Sequence, residues 1–285
     1  MPVDIDHLRQ WIGRTEEAAE IIAPEPVASL SATLDRDDPQ LQVGDEIPPA
    51  GHWLYFLPRH RQSELGPDGH AERGGFLPPV DLPRRMWAGG RINFLTPLRV
   101  GDEARRVSTI ADVSHKEGRS GELVFVLVRH EIIGPGGPAI VEEHDIVYRA
   151  AADPDAPPRP ARRAPAEAVW RRTIEPDPVL LFRYSALIFN AHRIHYDHRF
   201  TTEEEGYPGL IVHGPLIATL LMDLCRRESG RRMSKFDYRA VSPLFDTAPF
   251  TVHGQPSDND DSAQLWAAGT DGNLAMTAEA EFTGP

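Results

Sequence analysis

Apolar and polar residues alternate most regularly near the end of the chain. Leu274, Met276, Ala278, Ala280 and Phe282 are separated by polar or small residues, the pattern of a half-buried antiparallel strand. Phe250–His253 and Leu265–Ala268 precede it, bounded by the turn-rich run Pro256 to Asp261 and by Asp271-Gly272. These three predict an antiparallel meander. Upstream, the β-branched and aromatic run Glu122 to Val128 is followed by Ala139–Val141 and Ile146–Tyr148, with the Gly-Pro-Gly-Gly sequence at 134–137 as a hairpin turn. Helical spacing is clearest from Pro215 to Glu228. There Leu216, Ile217, Leu220, Leu221 and Leu224 recur on one side, Pro215 suits the first turn, and Arg226, Arg227 and Gly230 close the end. Leu8, Ile12, Ala19 and Ile22 predict a short surface helix at the N-terminus.

Ala151 to Ala168 contains almost only Ala, Pro, Asp and Arg, which predicts an extended connection unable to bury a core. It separates a first half, 1–150, from a second, 169–285. The halves share a faint repeat. Arg84-Arg85-Met86 leads to Thr96-Pro97-Leu98 and a β-rich run, and Arg231-Arg232-Met233 leads to Ser242-Pro243-Leu244 and another. A long apolar helix before a meander, loosely duplicated, predicts an α+β chain of two hot-dog units, each an antiparallel sheet wrapped around a helix. In the first half, the counterpart of the helix is the Pro- and aromatic-rich run His52 to Pro58. That helix is expected to be shortened or degenerate, its place taken by a ligand channel.

Composition narrows the function. The 285 residues carry a net charge of −13, which opposes a surface built to neutralise nucleic-acid phosphates. No apolar run approaches the roughly 18 residues of a membrane span. The charged N-terminal segment lacks the apolar core of a secretory signal, so the cytoplasm is the expected compartment. Cys225 is the lone cysteine and is expected as a buried space-filler on the helix.

Candidate chemistry gathers where histidines cluster. His192, His195, His198 and His213 fall between Phe182 and Leu216. His192, His195, Asp197 and His198 could be read as metal ligands, but no closed four-ligand set is evident, and the expectation is no metal. Ser185 lacks the Gly-x-Ser-x-Gly elbow of a nucleophile. His213-Gly214-Pro215 is more informative. At a helix start, free backbone N–H groups and the positive dipole end can hold a developing oxyanion, and glycine lets a carbonyl approach. A nearby imidazole can move a proton at neutral pH. Base and oxyanion donor together suit addition of water to an enoyl thioester.

The segment Asn190-Ala-His192-Arg-Ile-His195-Tyr-Asp197, followed by Gly206-Tyr-Pro-Gly-Leu-Ile-Val-His213-Gly214-Pro-Leu, resembles the active-site region of the MaoC-like (R)-specific enoyl-CoA hydratases and dehydratases. Their motif is Asp-x-Asn-Pro-x-His followed by Ile-Val-His-Gly. Trp53-Leu-Tyr-Phe-Leu-Pro and Arg84-Arg-Met-Trp-Ala-Gly-Gly resemble the branch of mesaconyl-C4-CoA hydratases, itaconyl-CoA hydratases and 3-hydroxyacyl-thioester dehydratases. The resemblance implies a duplicated hot-dog fold, His195 as the base and Gly214 as the oxyanion-hole glycine. The motif aspartate falls at Asn190, whose amide can orient a water but cannot take its proton. His195 is then the sole proton carrier. Asp197 is expected to orient a neighbour or face solvent. Arg193 or the Arg84-Arg85 pair would receive a substrate carboxylate, and Tyr184 and His213 complete the substrate-binding candidates. The expected partner is an acyl-CoA thioester, with CoA as part of the substrate and no separate cofactor. No nucleic acid or membrane partner is expected, and the chain is expected as a monomeric pseudo-dimer or a homodimer. A hot-dog thioesterase and a non-catalytic acyl-thioester binder are the competing readings.

Overall fold

The computed structural model describes residues 3–118, 121–150 and 160–283. Ten strands form one antiparallel sheet. The first five are β1 (Thr15–Ile21), β2 (Arg84–Phe94), β3 (Glu103–Gly118), β4 (Gly121–Gly134) and β5 (Gly137–Arg149). The others are β6 (Trp170–Ile174), β7 (Met233–Ala240), β8 (Phe250–Pro256), β9 (Ser262–Gly269) and β10 (Leu274–Phe282). Their spatial order is β1-β3-β4-β5-β2-β7-β10-β9-β8-β6. Reading outward from the central β2–β7 pair, the two halves have the same strand order. The helices are α1 (Ile5–Arg9), α2 (Pro24–Thr33), α3 (Pro178–Leu187) and α4 (Gly214–Ser229). The second-half strands pack around α4, which is buried from Leu216 through Cys225. Gly230 ends it in the left-handed conformation, at φ 61°.

The faint repeat is a structural one. Gly89 pairs with Arg239 and Ile92 with Phe236, as an approximate two-fold between the strands requires. Leu95 and Thr96 both donate to the Ala139 carbonyl, and Val241 and Ser242 both donate to that of Ala275. The turns after α2 and α3 also agree. Arg36 N–H bonds Ser31 O at 3.0 Å and Asn190 N–H bonds Ser185 O at 2.8 Å. Asp35 and Phe189 just before them have φ of 54° and 49°. Glycine at the seam is a steric requirement: a Cβ at Gly90 would strike the Tyr238 hydroxyl and the Glu143 carbonyl.

Two expectations are corrected. The N-terminal apolar positions do not make one helix, because Gly13, at φ 86°, breaks the chain after α1. The next element is the edge strand β1, whose Glu16 and Glu17 meet Arg106 and Arg105 of β3. The connection 151–168 is described only from 160. There Leu274 N–H bonds Arg162 O, and Ala164 and Ala168 pack against Trp266, Ala268 and Leu274, so its last residues do join a core. The first-half helix is degenerate as expected, reduced to a 3-10 turn at Gly51–Leu54. Aromatic side chains lie in its place. Glu142 is buried there and accepts from Trp53 Nε1 at 2.8 Å, His52 Nε2 at 3.1 Å and His144 Nε2 at 2.5 Å. Burial opposes its ionisation, but His144 and His52 hold the carboxyl well below the usual range.

Asp223 of α4 joins the halves through charge. It accepts from Arg36 and Arg227 at 2.9 and 2.8 Å and lies near Arg172 and Arg226. Replacing a buried carboxylate that is shared by several guanidinium groups leaves them uncompensated. Asp223→Ala is expected to cost about 3 kcal/mol, read as a lower urea midpoint at unchanged slope.

Candidate active site

α3 is started by Asp177, whose side chain accepts from Leu180 N–H, with Pro178 in the first turn. Its buried residues Leu181, Tyr184 and Ser185 face inward. The chain turns at Phe189, and the Asn190 side-chain oxygen then accepts from the His192 N–H at 3.0 Å. A backbone N–H can only donate, so the accepting atom is the amide oxygen. Asn190 therefore shapes the loop, with its NH₂ left to donate to a water. A 3-10 turn, Arg193–His195, comes next. It is tied down by Ile211 N–H to Ile194 O at 2.9 Å and by His195 Nδ1 to Ile211 O at 2.7 Å.

That last contact fixes the tautomer of His195. A carbonyl only accepts, so Nδ1 carries the hydrogen and Nε2 presents a lone pair. His195 is 7% exposed, and burial pushes its pKa down to about 4, so its ring is neutral at pH 7. Its ring stacks on His213 at 3.7 Å between centroids. His213 Nε2 lies 2.7 Å from Ser185 Oγ, and Tyr184 meets the His213 ring at 5.2 Å. Tyr184 is buried, with its hydroxyl against Thr219 and its ring against His213. His213 is the N-cap of α4, and Gly214 opens the first turn, where helical N–H groups lack intrahelical acceptors. Trp87 of β2 covers Gly214 from the other half; a Cβ there would lie 2.9 Å from Trp87 Cε3.

The remaining candidates separate. Arg193 is bound twice by Asp197, at 2.8 and 3.0 Å, and also bonds Pro67 O and lies over Phe200, so it is a loop brace. Asp197 also accepts from Phe200 N–H. Arg84 bonds Tyr207 and the Glu205 carbonyl. Arg85 lies two residues before Trp87 on β2 and shares its face; burial lowers the pKa of both His70 and His192, and the Arg85 charge adds to that. The ligand set of His192, His195, Asp197 and His198 does not converge, since His195 Nδ1 is held by Ile211, Asp197 by Arg193, and His198 is exposed. A different trio, Asp68, His70 and His192, has donor atoms within 4.8 Å of one another. The nearby Arg85 guanidinium opposes a bound cation there.

Asp68, His70 and Trp87 come from the first half; Trp87 lies in the run Arg84 to Gly90 that carries the resemblance, whereas no sequence pattern singles out Asp68 and His70. The first two lie in a Gly- and Pro-rich loop, and only the fold brings them across. Their packing has a consequence for pH. Burial pushes His192 down to about 2 and His213 well below the usual imidazole range. Unfolded, these rings and His195 titrate near about 6.5. The unfolded state therefore takes up protons first as the pH falls, and stability is lost progressively from about 6.5 down toward the folded values. The urea midpoint is expected to fall steadily between about pH 6.5 and 4, and a flat profile would count against neutral imidazoles at these three positions.

Comparison with known proteins agrees with this architecture. The model of the family "hydroxyacyl-thioester dehydratase type 2" matches residues 50–246. The mesaconyl-C(4)-CoA hydratase of Chloroflexus aurantiacus is 48% identical over 274 residues, 96% of this chain and 97% of that protein. A MaoC-like dehydratase from Phytophthora capsici superposes with a TM-score of 0.70 at 15% identity, over 99% of this chain and 100% of that one. A Mycobacterium tuberculosis protein described as a double hot-dog fold gives 0.51 at 12% identity, over 95% and 96%. Among the described residues, no helix is long and apolar enough to cross a membrane. With the tandem hot-dog architecture and the family match over most of its length, the chain belongs to the hydroxyacyl-thioester dehydratase type 2 family, a group of MaoC-like hydro-lyases.

Proposed function

We propose that this chain reversibly hydrates a short enoyl-CoA thioester bearing a free carboxylate, of the mesaconyl-C4-CoA or itaconyl-CoA kind. The observation that carries the reading is the free Nε2 lone pair of buried His195 beside the N-terminus of α4, with Arg85 on the strand face that covers Gly214. His195 removes a proton from water as the oxygen adds to Cβ. The alkene electron pair moves toward the thioester, and the Gly214 N–H holds the developing enolate oxygen. His195 then returns its proton to Cα. CoA enters as part of the substrate, and the step needs no separate cofactor.

Two features favour a small dicarboxylic acyl group over a fatty one. The place of the missing first-half helix is closed by Trp53 and His52 around Glu142, with Trp53 5.8 Å from Trp87. A C4 thioester of mesaconate keeps a carboxylate on the carbon that water attacks, which Arg85 can hold as a planar fork. Because β2 and α4 come from different halves, one chain supplies both sides of the site, as a pseudo-dimer.

The test is loss of enoyl-thioester absorbance with mesaconyl-C4- and crotonyl-CoA; itaconyl-CoA, whose double bond is not conjugated to a C4 thioester, is followed by chromatography of the hydrated product. Arg85→Met is expected to lower kcat/KM for the dicarboxylic substrates about 10- to 100-fold, the size of a lost charge-assisted contact, and to leave crotonyl-CoA little changed. Equal loss on all three would remove Arg85 from the carboxylate role. Thioester cleavage without hydration would favour the thioesterase, and binding without turnover the acyl-thioester binder.

A further inference from the structure

Asn190 stands where the resembled motif has a carboxylate, and its oxygen is already held by the His192 N–H. A carboxylate nonetheless reaches this side of the site, from the other half of the chain. The loop around Asp68 is clamped to the segment that carries His195. Arg193 N–H bonds the Asp68 carbonyl at 2.9 Å, and Arg193 Nη1 bonds Pro67 O at 3.0 Å. Gly69, at φ 87°, lies so close to the Ala191 carbonyl that any Cβ there would overlap it. Within this clamp Asp68 Oδ1 accepts from the His70 N–H at 3.0 Å, and Oδ2 lies 2.9 Å from His70 Nδ1. The His70 ring packs on His192 at 3.8 Å, and His192 meets His195 edge-on at 5.5 Å.

We propose that Asp68, acting through His70 and His192, supplies from the first half the negative charge that position 190 lacks, and so sets the orientation and basicity of the rings around His195. Asp68 is thus a positioning residue for hydration of the enoyl thioester, and its role rests on that reading of the function. Charged and titratable groups facing the cluster are Arg85 and Arg73 from the first half and His195 and His213 from the second. The two arginines and the mutual proximity of the rings all disfavour protonation, and among the described residues Asp68 is the carboxylate that opposes them at His70 and His192. The His70 hydrogen bond holds Asp68 itself well below the usual carboxylate range, despite its burial. Removing its charge also permits the wrong His70 tautomer, since an amide can offer an N–H where the carboxylate accepted one.

Asp68→Asn and His70→Gln would each be compared with wild type on mesaconyl-C4-CoA, alone and combined with Asn190→Asp. Each single variant is expected to lower kcat by about 10- to 100-fold with KM little changed, the scale of one unit charge acting across two ring widths. The acidic limb of the pH–rate profile is expected to move to lower pH in Asp68→Asn. Adding Asn190→Asp should restore most of the lost rate, because the new carboxylate can keep the His192 N–H on one oxygen and face the site with the other. Thermal midpoints decide which variant is read, with His70→Gln serving if Asp68→Asn is poorly folded. Near-native singles, or losses that Asn190→Asp does not repair, would overturn the proposal. So would wild-type activity that is removed by a chelator and returned by zinc, since the trio would then be a metal site. Wild type that hydrates none of the enoyl thioesters would overturn the proposed function itself, whereas active wild type with indifferent variants would overturn only the role of Asp68.

Discussion

His195→Ala should lower kcat for hydration by about 10²- to 10⁴-fold, the usual consequence of losing a positioned general base. The expectation rests on geometry. His195 Nδ1–H is held by the Ile211 carbonyl at 2.7 Å, so Nε2 is the one nitrogen able to take a proton. No carboxylate at 190 is available to take over, and the Asn190 oxygen is engaged with the backbone. His195→Gln is a useful companion, because its amide can keep a contact to Ile211 without offering a basic nitrogen. Both variants should therefore lose turnover, with substrate affinity measured by calorimetry close to wild type. Turnover within a few-fold of wild type in either variant would remove His195 from the base role.

Gly214→Ala should be the second most damaging change, at about 10²- to 10³-fold in kcat, as for removal of an oxyanion donor. Nothing in the backbone conformation forbids alanine there, and in a helix alanine is intrinsically better than glycine by about 1 kcal/mol. The damage comes from space. The new Cβ would lie 2.9 Å from Trp87 Cε3, so the ring or the helix start must shift, and the methyl group would stand beside the N–H that the thioester oxygen has to reach. The combination to look for is lost activity with an undiminished unfolding midpoint. A fall in both would mean that Gly214 serves packing alone.

Legibility in the sequence depends on the range of the interactions involved. α4 and the β8–β10 meander are readable because their apolar spacing is local, and Gly230 and Asp271-Gly272 punctuate them. β1 misleads, because Leu8, Ile12, Ala19 and Ile22 fit a helical period while the deciding facts are the break at Gly13 and pairing with the sequence-distant β3. α3 is hidden because Phe182, Tyr184 and flanking prolines do not advertise a helix, although Asp177 caps it. Within the site, the residues from Asn190 to Gly214 can be named because they lie in one segment. Sequence does not separate Arg193 from Arg85 as an anion ligand, since the choice depends on Asp197 accepting one guanidinium and on which strand face carries the other. Asp68 and His70 are invisible for the same reason: each acquires its role by crossing the seam.

The pairing of β2 with β7 joins two like halves within one backbone, as an interface would join two subunits. A gene cut within the connection between the halves would yield two chains, neither with a complete site, since one would hold Arg85 and Trp87 and the other His195 and Gly214. Mixed together, they would have to find each other at their working concentration, whereas joining them fixes that encounter at an effective concentration on the order of millimolar. Fusion also releases the copies from identity. Arg36 now occupies the position in the first half that Asn190 occupies in the second, a divergence that a symmetric homodimer could not sustain without losing both sites at once.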